Sequence, residues 1–206
     1  METETDIETE HYYTESPKSK YFEYELEDLK IRGVEIKLRS ATGLFSSKEI
    51  DFASEVLVNN MQLPKTGQIL DLGCGYGFIG LTAAKLALKA KVILIDINRR
   101  AVDLTKKNIK LNKLKNAEAR QGNAFEPVEG ETFDVILLNP PMVAGRKIVL
   151  HMIEHSITHL RPKGSLQIVA RKGKGGEYLF NRMKTSFSRI DVLAKSGGFW
   201  VVKGSK

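Results

Sequence analysis

From Gly67 onward the chain alternates short apolar runs with stretches of helical periodicity, and no other sequence feature limits its fold as strongly. A strand buried on both faces reads as a continuous apolar run, and a parallel neighbour needs a crossover, usually a helix. The strongest runs are residues 69–72, 92–95, 133–138 and 166–170, with weaker ones at 117–121, 190–194 and 199–202. Helices are expected at 78–89, 99–111, 147–160 and 176–187, each after a strand or its loop. The pattern predicts an α/β, Rossmann-like fold with a seven-stranded, mostly parallel sheet. Its last two strands, joined by Ser196-Gly197-Gly198, form an antiparallel hairpin at one edge.

Ahead of this region, Phe22, Tyr24 and Leu26, then Val34, Ile36 and Leu38, alternate with polar residues around Arg32-Gly33. This predicts two half-buried strands and a turn in a small N-terminal β annex. Ser46 or Ser47 is placed to cap a helix whose apolar positions Ile50, Ala53, Val56 and Leu57 recur at helical spacing, ending by Pro64. The expected organisation is an acidic, disordered tail over 1–10, the annex over 11–46 and the main domain over 47–206, annex and domain forming one unit.

The length of 206 residues suits one domain, and no apolar run approaches the ~18 residues of a membrane span. Cys74 is the single cysteine, so no internal disulfide forms, and the acidic start lacks the charged and apolar regions of a signal peptide. A cytoplasmic location without membrane attachment is expected. Residues 1–30 hold 3 Lys+Arg and 10 Asp+Glu, leaving 29 and 15 for the remainder. Such a basic body steers polyanions toward it, although a charge surplus is also the ordinary state of a solvated surface.

Asp71-Leu72-Gly73-Cys74-Gly75-Tyr76-Gly77 lies between an apolar run and a helix, where glycines allow a tight turn and close approach of a ligand to the backbone. The spacing is GxGxG, with Phe78 where a dinucleotide loop has its third glycine. Asp71 would repel a pyrophosphate at the helix N-terminus and would pair with a cationic amine or sulfonium ligand, which disfavours a nicotinamide oxidoreductase. The next run ends at Asp96-Ile97, where a doubly wound fold presents a carboxylate to ribose hydroxyls; Asp96 could also cap the following helix. Gly122-Asn123-Ala124 reads equally as an adenine-edge contact or an everyday turn.

The run 133–138 leads straight into Asn139-Pro140-Pro141-Met142. Two prolines fix the backbone and remove two donors, so the Asn139 side-chain oxygen and the Pro140 carbonyl can hold the two hydrogens of a planar amine. Acceptors placed there favour the nitrogen as it becomes tetrahedral and positive, without a strong base. Arg146, Lys147, Arg171, Lys172 and Lys174 follow the ends of strands on the same edge, where phosphates can dock. His151, His155 and His159 recur every four residues, but no cysteine or carboxylate completes a ligand set, and no metal is expected.

With these residues the chain resembles the class I S-adenosylmethionine-dependent methyltransferases. His11-Tyr12-Tyr13, Pro17-Lys18-Ser19-Lys20, Gly43-Leu44-Phe45-Ser46 and Ala144-Gly145-Arg146-Lys147 extend the resemblance to the "methyltransferase small" domain. Within it, the chain is similar to archaeal stand-alone relatives of bacterial 16S ribosomal RNA guanine-N2 methyltransferases. The resemblance implies S-adenosylmethionine as cofactor, with Asp71, Gly73, Cys74, Gly75 and Gly77 around its methionine part. It implies Asp96 and Ile97 at the ribose, and Asn123 and Ala124 near adenine. Asn139 and Pro140 would orient the target amine, Phe45 and Ser46 would lie beside the pocket, and Pro141, Met142, Arg146, Lys147, Arg171 and Lys172 would face substrate. Met142 stands where many amino-methyltransferases carry an aromatic ring to stack on the target. The implied reaction is methylation of an exocyclic amine of RNA, foremost guanine N2 of small-subunit ribosomal RNA, by a chain that can dimerise to complete its footprint. The alternatives are a protein glutamine-amide methyltransferase and a non-catalytic RNA-binding or assembly protein.

Overall fold

The computed structural model describes residues 22–26, 29–42, 44 and 49–206. The expected tail, the Ser46 or Ser47 cap and the Phe45-Ser46 pair lie outside them. Seven strands form the main sheet: β5 (Thr66–Leu72), β6 (Lys89–Asp96), β7 (Ala117–Gln121), β8 (Phe133–Leu138), β9 (Leu160–Arg171), β10 (Arg189–Ser196) and β11 (Phe199–Ser205), after four short strands of the annex. Their order is β10-β11-β9-β8-β5-β6-β7. The five strands from β9 to β7 run parallel, and β11 and β10 add antiparallel to β9. The sheet and its edge hairpin are those the sequence predicts.

Helices α1 (Phe52–Asn60), α2 (Phe78–Leu86) and α3 (Arg99–Leu111) cover one face; α4 (Arg146–Ser156) and α5 (Glu177–Ser186) cover the other. Side chains alternate across a strand, and β5 shows the consequence. Ile69 joins the core under α1–α3 and Leu70 and Leu72 join the core under α4 and α5, so Asp71 is directed to the α2 side. That placement matters at the site.

Three boundaries differ from expectation. The helix before β5 starts at Phe52, because the Asp51 carboxylate accepts from the Ser54 amide at 2.8 Å and acts as its N-cap. α2 stops at Leu86, since pairing of Thr66 with Lys89 commits the expected last turn to β6. α4 stops at Ser156; turn bonds from Thr158 and His159 lead into Leu160, which pairs with Phe133 and begins a strand twice as long as its apolar run suggests.

The annex holds four short strands rather than two. β2 (Leu29–Ile31) and β3 (Val34–Ile36) make the hairpin around Arg32-Gly33, while β1 (Glu23–Glu25) pairs with β4 (Arg39–Ala41). Two asparagines one turn apart, Asn108 on α3 and Asn112 at its C-cap, hold this segment. Asn108 accepts from the Arg39 amide and donates to the Arg39 carbonyl, at 2.8 and 2.9 Å. Asn112 does the same for Lys37, at 3.0 and 2.6 Å. Each side chain supplies one rung of a ladder that no strand is there to give.

Candidate functional site

A cavity of about 550 Å³ opens at the C-terminal edge of the parallel strands, lined by the ends of β5, β6 and β8, the loops that follow them, α1 and α4. The volume suits a small-molecule ligand, and the position is where doubly wound sheets bind them. No described helix is long and apolar enough to cross a membrane.

The glycine loop forms the floor. The Gly73 and Cys74 amides both donate to the Ile95 carbonyl at 2.8 Å, which anchors the loop to the end of β6. Gly73 and Gly75 have φ of +77° and +56°, a region costly for side chains. A Cβ on Gly75 would meet nothing within 4 Å, and one on Gly73 only the Met152 methyl carbon at 3.9 Å, so the loop leaves open space above its backbone. Gly77 is not on the cavity wall. Its Cβ would press on Leu81 and Thr105 at 3.0 Å, and its role is close packing at the start of α2.

Gly77 offers α2 no side-chain cap. Asp71 supplies one from β5: its Oδ2 accepts from the Gly80 amide at 2.7 Å. Asp71 is buried behind the cavity wall, and its Oδ1 has no hydrogen-bond partner among the described residues. Desolvation, opposed by the Gly80 bond and reinforced by the nearby Asp96 charge, pushes its pKa up to about 7. Asp96 does line the cavity. It accepts from the Gly75 and Asn98 amides, both at 2.8 Å, while burial holds its pKa near 6. Asn98, not Asp96, caps α3, which leaves Asp96 free of the capping role.

Ile97, Asn123 and Ala124 complete the far wall. Gly122, whose amide bonds to the Asp96 carbonyl at 3.1 Å, holds that turn to β6.

Asn139 lies at the opposite wall with Pro140 and Pro141. Its amide nitrogen donates to Asp51 Oδ2 at 2.8 Å and to Ser54 Oγ at 2.9 Å. Asp51 Oδ2 also receives the Ser54 amide and hydroxyl, so the first turn of α1 is a rigid receptor for the Asn139 NH2. With its nitrogen so held, Asn139 is left with Oδ1 as its group for a ligand. The Pro140 carbonyl accepts no hydrogen bond from the described residues. Sequence reasoning missed Asp51 and Ser54. The only signal was an Asp-x-x-Ser spacing at a helix start, which reads as a cap and nothing more.

Of the residues expected at the substrate, Lys147 and Pro141 line the cavity, whereas Met142, Arg146, Arg171 and Lys172 lie outside its wall. Met142 is 42% exposed at the rim. His151 lines the cavity with Met152 and lies tilted against His155, ring centroids 3.8 Å apart, while His159 stacks on Phe125 and meets the Glu131 carbonyl. The three imidazoles do not converge.

The sequence profile of the methyltransferase small domain matches residues 35–203. The chain belongs to that family. Ribosomal RNA small subunit methyltransferase C of Haemophilus influenzae is 32% identical over 170 residues, covering 81% of this chain and 50% of that protein. The chain thus spans about half the length of such relatives. The uncharacterized protein YbxB of Bacillus subtilis is 36% identical over 200 residues, covering 96% of this chain and 99% of that one, a bacterial relative of matching length. Among solved structures, the Thermus thermophilus 16S rRNA N2 G1207 methyltransferase, in complex with AdoMet and guanosine, superposes with a TM-score of 0.76 at 25% identity. It covers 92% of this chain and 51% of that one. The fold is the class I methyltransferase fold.

Proposed function

We propose that this protein transfers the methyl group of S-adenosylmethionine to an exocyclic amine of RNA, foremost guanine N2 of small-subunit ribosomal RNA. The observation that carries the reading is the fixed Asn139 amide, whose nitrogen is engaged by Asp51 and Ser54 and whose oxygen is left for the target. The cavity residues suit the cofactor. Open space stands over Gly73 and Gly75, and the buried Asp71 Oδ1 behind the wall has no hydrogen-bond partner among the described residues. Gly73, Cys74 and Gly75 would hold the methionine part, Asp96 and Ile97 the ribose, and Asn123 and Ala124 the adenine. Bound there, the cofactor supplies a methyl group on a sulfonium, already activated for displacement.

Asn139 Oδ1 and the Pro140 carbonyl accept the two N–H bonds of a planar amine and aim its lone pair into the cavity. As the nitrogen gains positive charge, both bonds strengthen, and the proton then leaves to solvent. Holding the reactants at near-attack distance supplies part of the ~7–11 kcal/mol available to such positioning.

The experiment is incubation with tritium-methyl S-adenosylmethionine and, separately, deproteinised ribosomal RNA, small subunits, tRNA and cell-extract protein, with nucleoside digestion of labelled RNA. Label in RNA as N2-methylguanosine is the expected result. Label confined to protein replaces the reading with methylation of a glutamine amide, whose planar NH2 the same acceptors would hold. Asn139→Ala is expected to cut turnover at least about 100-fold while cofactor affinity changes less than about threefold. Full turnover in that variant sinks the mechanism.

A further inference from the structure

Seven arginines of this chain are held by oxygen acceptors. Arg39, Arg99, Arg120, Arg161, Arg182 and Arg189 each meet a carboxylate, and Arg32 donates to two carbonyls. Among the described residues, Arg146 and Arg171 meet neither. Each lies over a ring instead, Arg146 over Tyr178 at 4.8 Å and Arg171 over Phe199 at 5.8 Å. Lys172 and Lys195 behave alike, both over Trp200, at 4.8 and 4.2 Å. All four cations are exposed. A ring steadies a cation without consuming its N–H donors, which stay available. Three of these charges, Arg171, Lys172 and Lys195, stand together at the hairpin tip and form no ion pair among the described residues, so a polyanion settling there relieves their mutual repulsion.

We propose that the tip of the β10–β11 hairpin, with the end of β9, docks a single-stranded RNA segment flanking the nucleotide to be methylated. The proposal rests on RNA being the substrate. Register places the charges on both sides of the tip. Lys195 pairs across with Trp200, which stacks on Phe180 of α5 at 6.0 Å. Arg171 pairs across with Phe199, which packs edge-on to Phe52 of α1 at 5.9 Å. Both sides border residues next to the cavity wall. Phe52 adjoins Asp51 of its wall, and a Cβ on Gly175, just past Lys172, would lie 3.3 Å from the methyl carbon of Met142 at the rim. Cations on two faces of a narrow tip suit a strand that bends around it; a flat lipid surface would meet one face.

Trp200 is the only tryptophan, so its emission reports on this tip alone. The test titrates the full chain with a fluorescein-labelled 20-nucleotide single-stranded RNA, following anisotropy and Trp200 emission over a range of salt. Trp200 emission is expected to change in step with anisotropy. Arg171→Ala with Lys195→Ala should weaken binding severalfold and reduce the salt slope by about 1.4, at ~0.7 per lost phosphate contact on a single strand. Lys89→Ala with Lys115→Ala, at the opposite edge of the sheet, should change neither.

Binding with an unchanged slope in the hairpin variant and a silent Trp200 overturns the proposal, as does absence of RNA binding. Methyl label entering RNA equally well with the hairpin variant removes the docking surface and leaves the substrate reading standing. Label confined to protein, with hairpin-dependent RNA binding intact, overturns the substrate reading and with it the flanking role, leaving the tip only as an RNA-binding surface.

Discussion

At Asp51 one carboxylate oxygen serves two elements, capping α1 and receiving the Asn139 amide. Asn caps helices about as well as Asp, so Asp51→Asn separates the two roles. The charge-assisted acceptor for Asn139 is lost while the cap is kept. Turnover should fall about tenfold, roughly 1.4 kcal/mol in the barrier, with cofactor affinity and melting midpoint near those of the native protein. Steady-state kinetics and calorimetry check it; a lower midpoint at unchanged turnover would reduce Asp51 to a cap. Asp71 carries a different liability. Its pKa is raised from an ordinary 3.8 to about 7, so between those values the folded state binds the extra proton and stability falls as pH rises. Asp71→Asn keeps an oxygen for the Gly80 amide and removes the titration. It should raise the melting midpoint more at pH 8 than at pH 5, and weaken S-adenosylmethionine binding. Equal midpoint shifts at the two pH values would show that Asp71 is not desolvated in the fold.

The turn from β5 and the first turn of α2 contain glycines of two kinds, and their substitutions should separate. Gly75→Ala puts a methyl group into open cavity space at a cost of ~1 to 2 kcal/mol for its φ of +56°. Its main effect should be on cofactor affinity, read by titration calorimetry. A Cβ on Gly80 would lie 2.4 Å from Leu94 Cδ2 and 2.8 Å from Asp71 Oδ2. Gly80→Ala should therefore cost ~1 to 3 kcal/mol of stability by overpacking, seen as a lower denaturation midpoint. The loop was legible from its spacing and its place between a strand and a helix. Gly80 was not, because a glycine inside a helical pattern shows its reason only when Leu94 and Asp71 are seen beneath it. The start of α1 was misplaced for a related reason: Ser46, Ser47 and Asp51 all suit a cap, and a capping preference alone does not choose among them.

For the whole molecule, ligand binding and stability are linked. Saturation with S-adenosylmethionine at ~100 times its Kd should add ~2.7 kcal/mol to the unfolding free energy, several degrees in the midpoint for a chain of this size. NAD should add nothing, and a shift of equal size with NAD would return the glycine loop to dinucleotide binding. Strand number, the edge hairpin, the glycine loop and the Asn-Pro-Pro turn followed from the sequence, because each rests on periodicity or on residues whose backbone preferences are local. The N-terminal annex was less legible. Its short strands are held by Asn108 and Asn112, whose partners lie 69 and 75 residues away. The sequence by itself determined which chemistry stands at the end of each strand. Tertiary structure alone decided how those groups are aimed: α1 holding the Asn139 amide, Asp71 turned behind the wall, and cations resting on rings of the hairpin. Each of these is a contact between side chains far apart in the chain, and neither propensity nor spacing encodes such a contact.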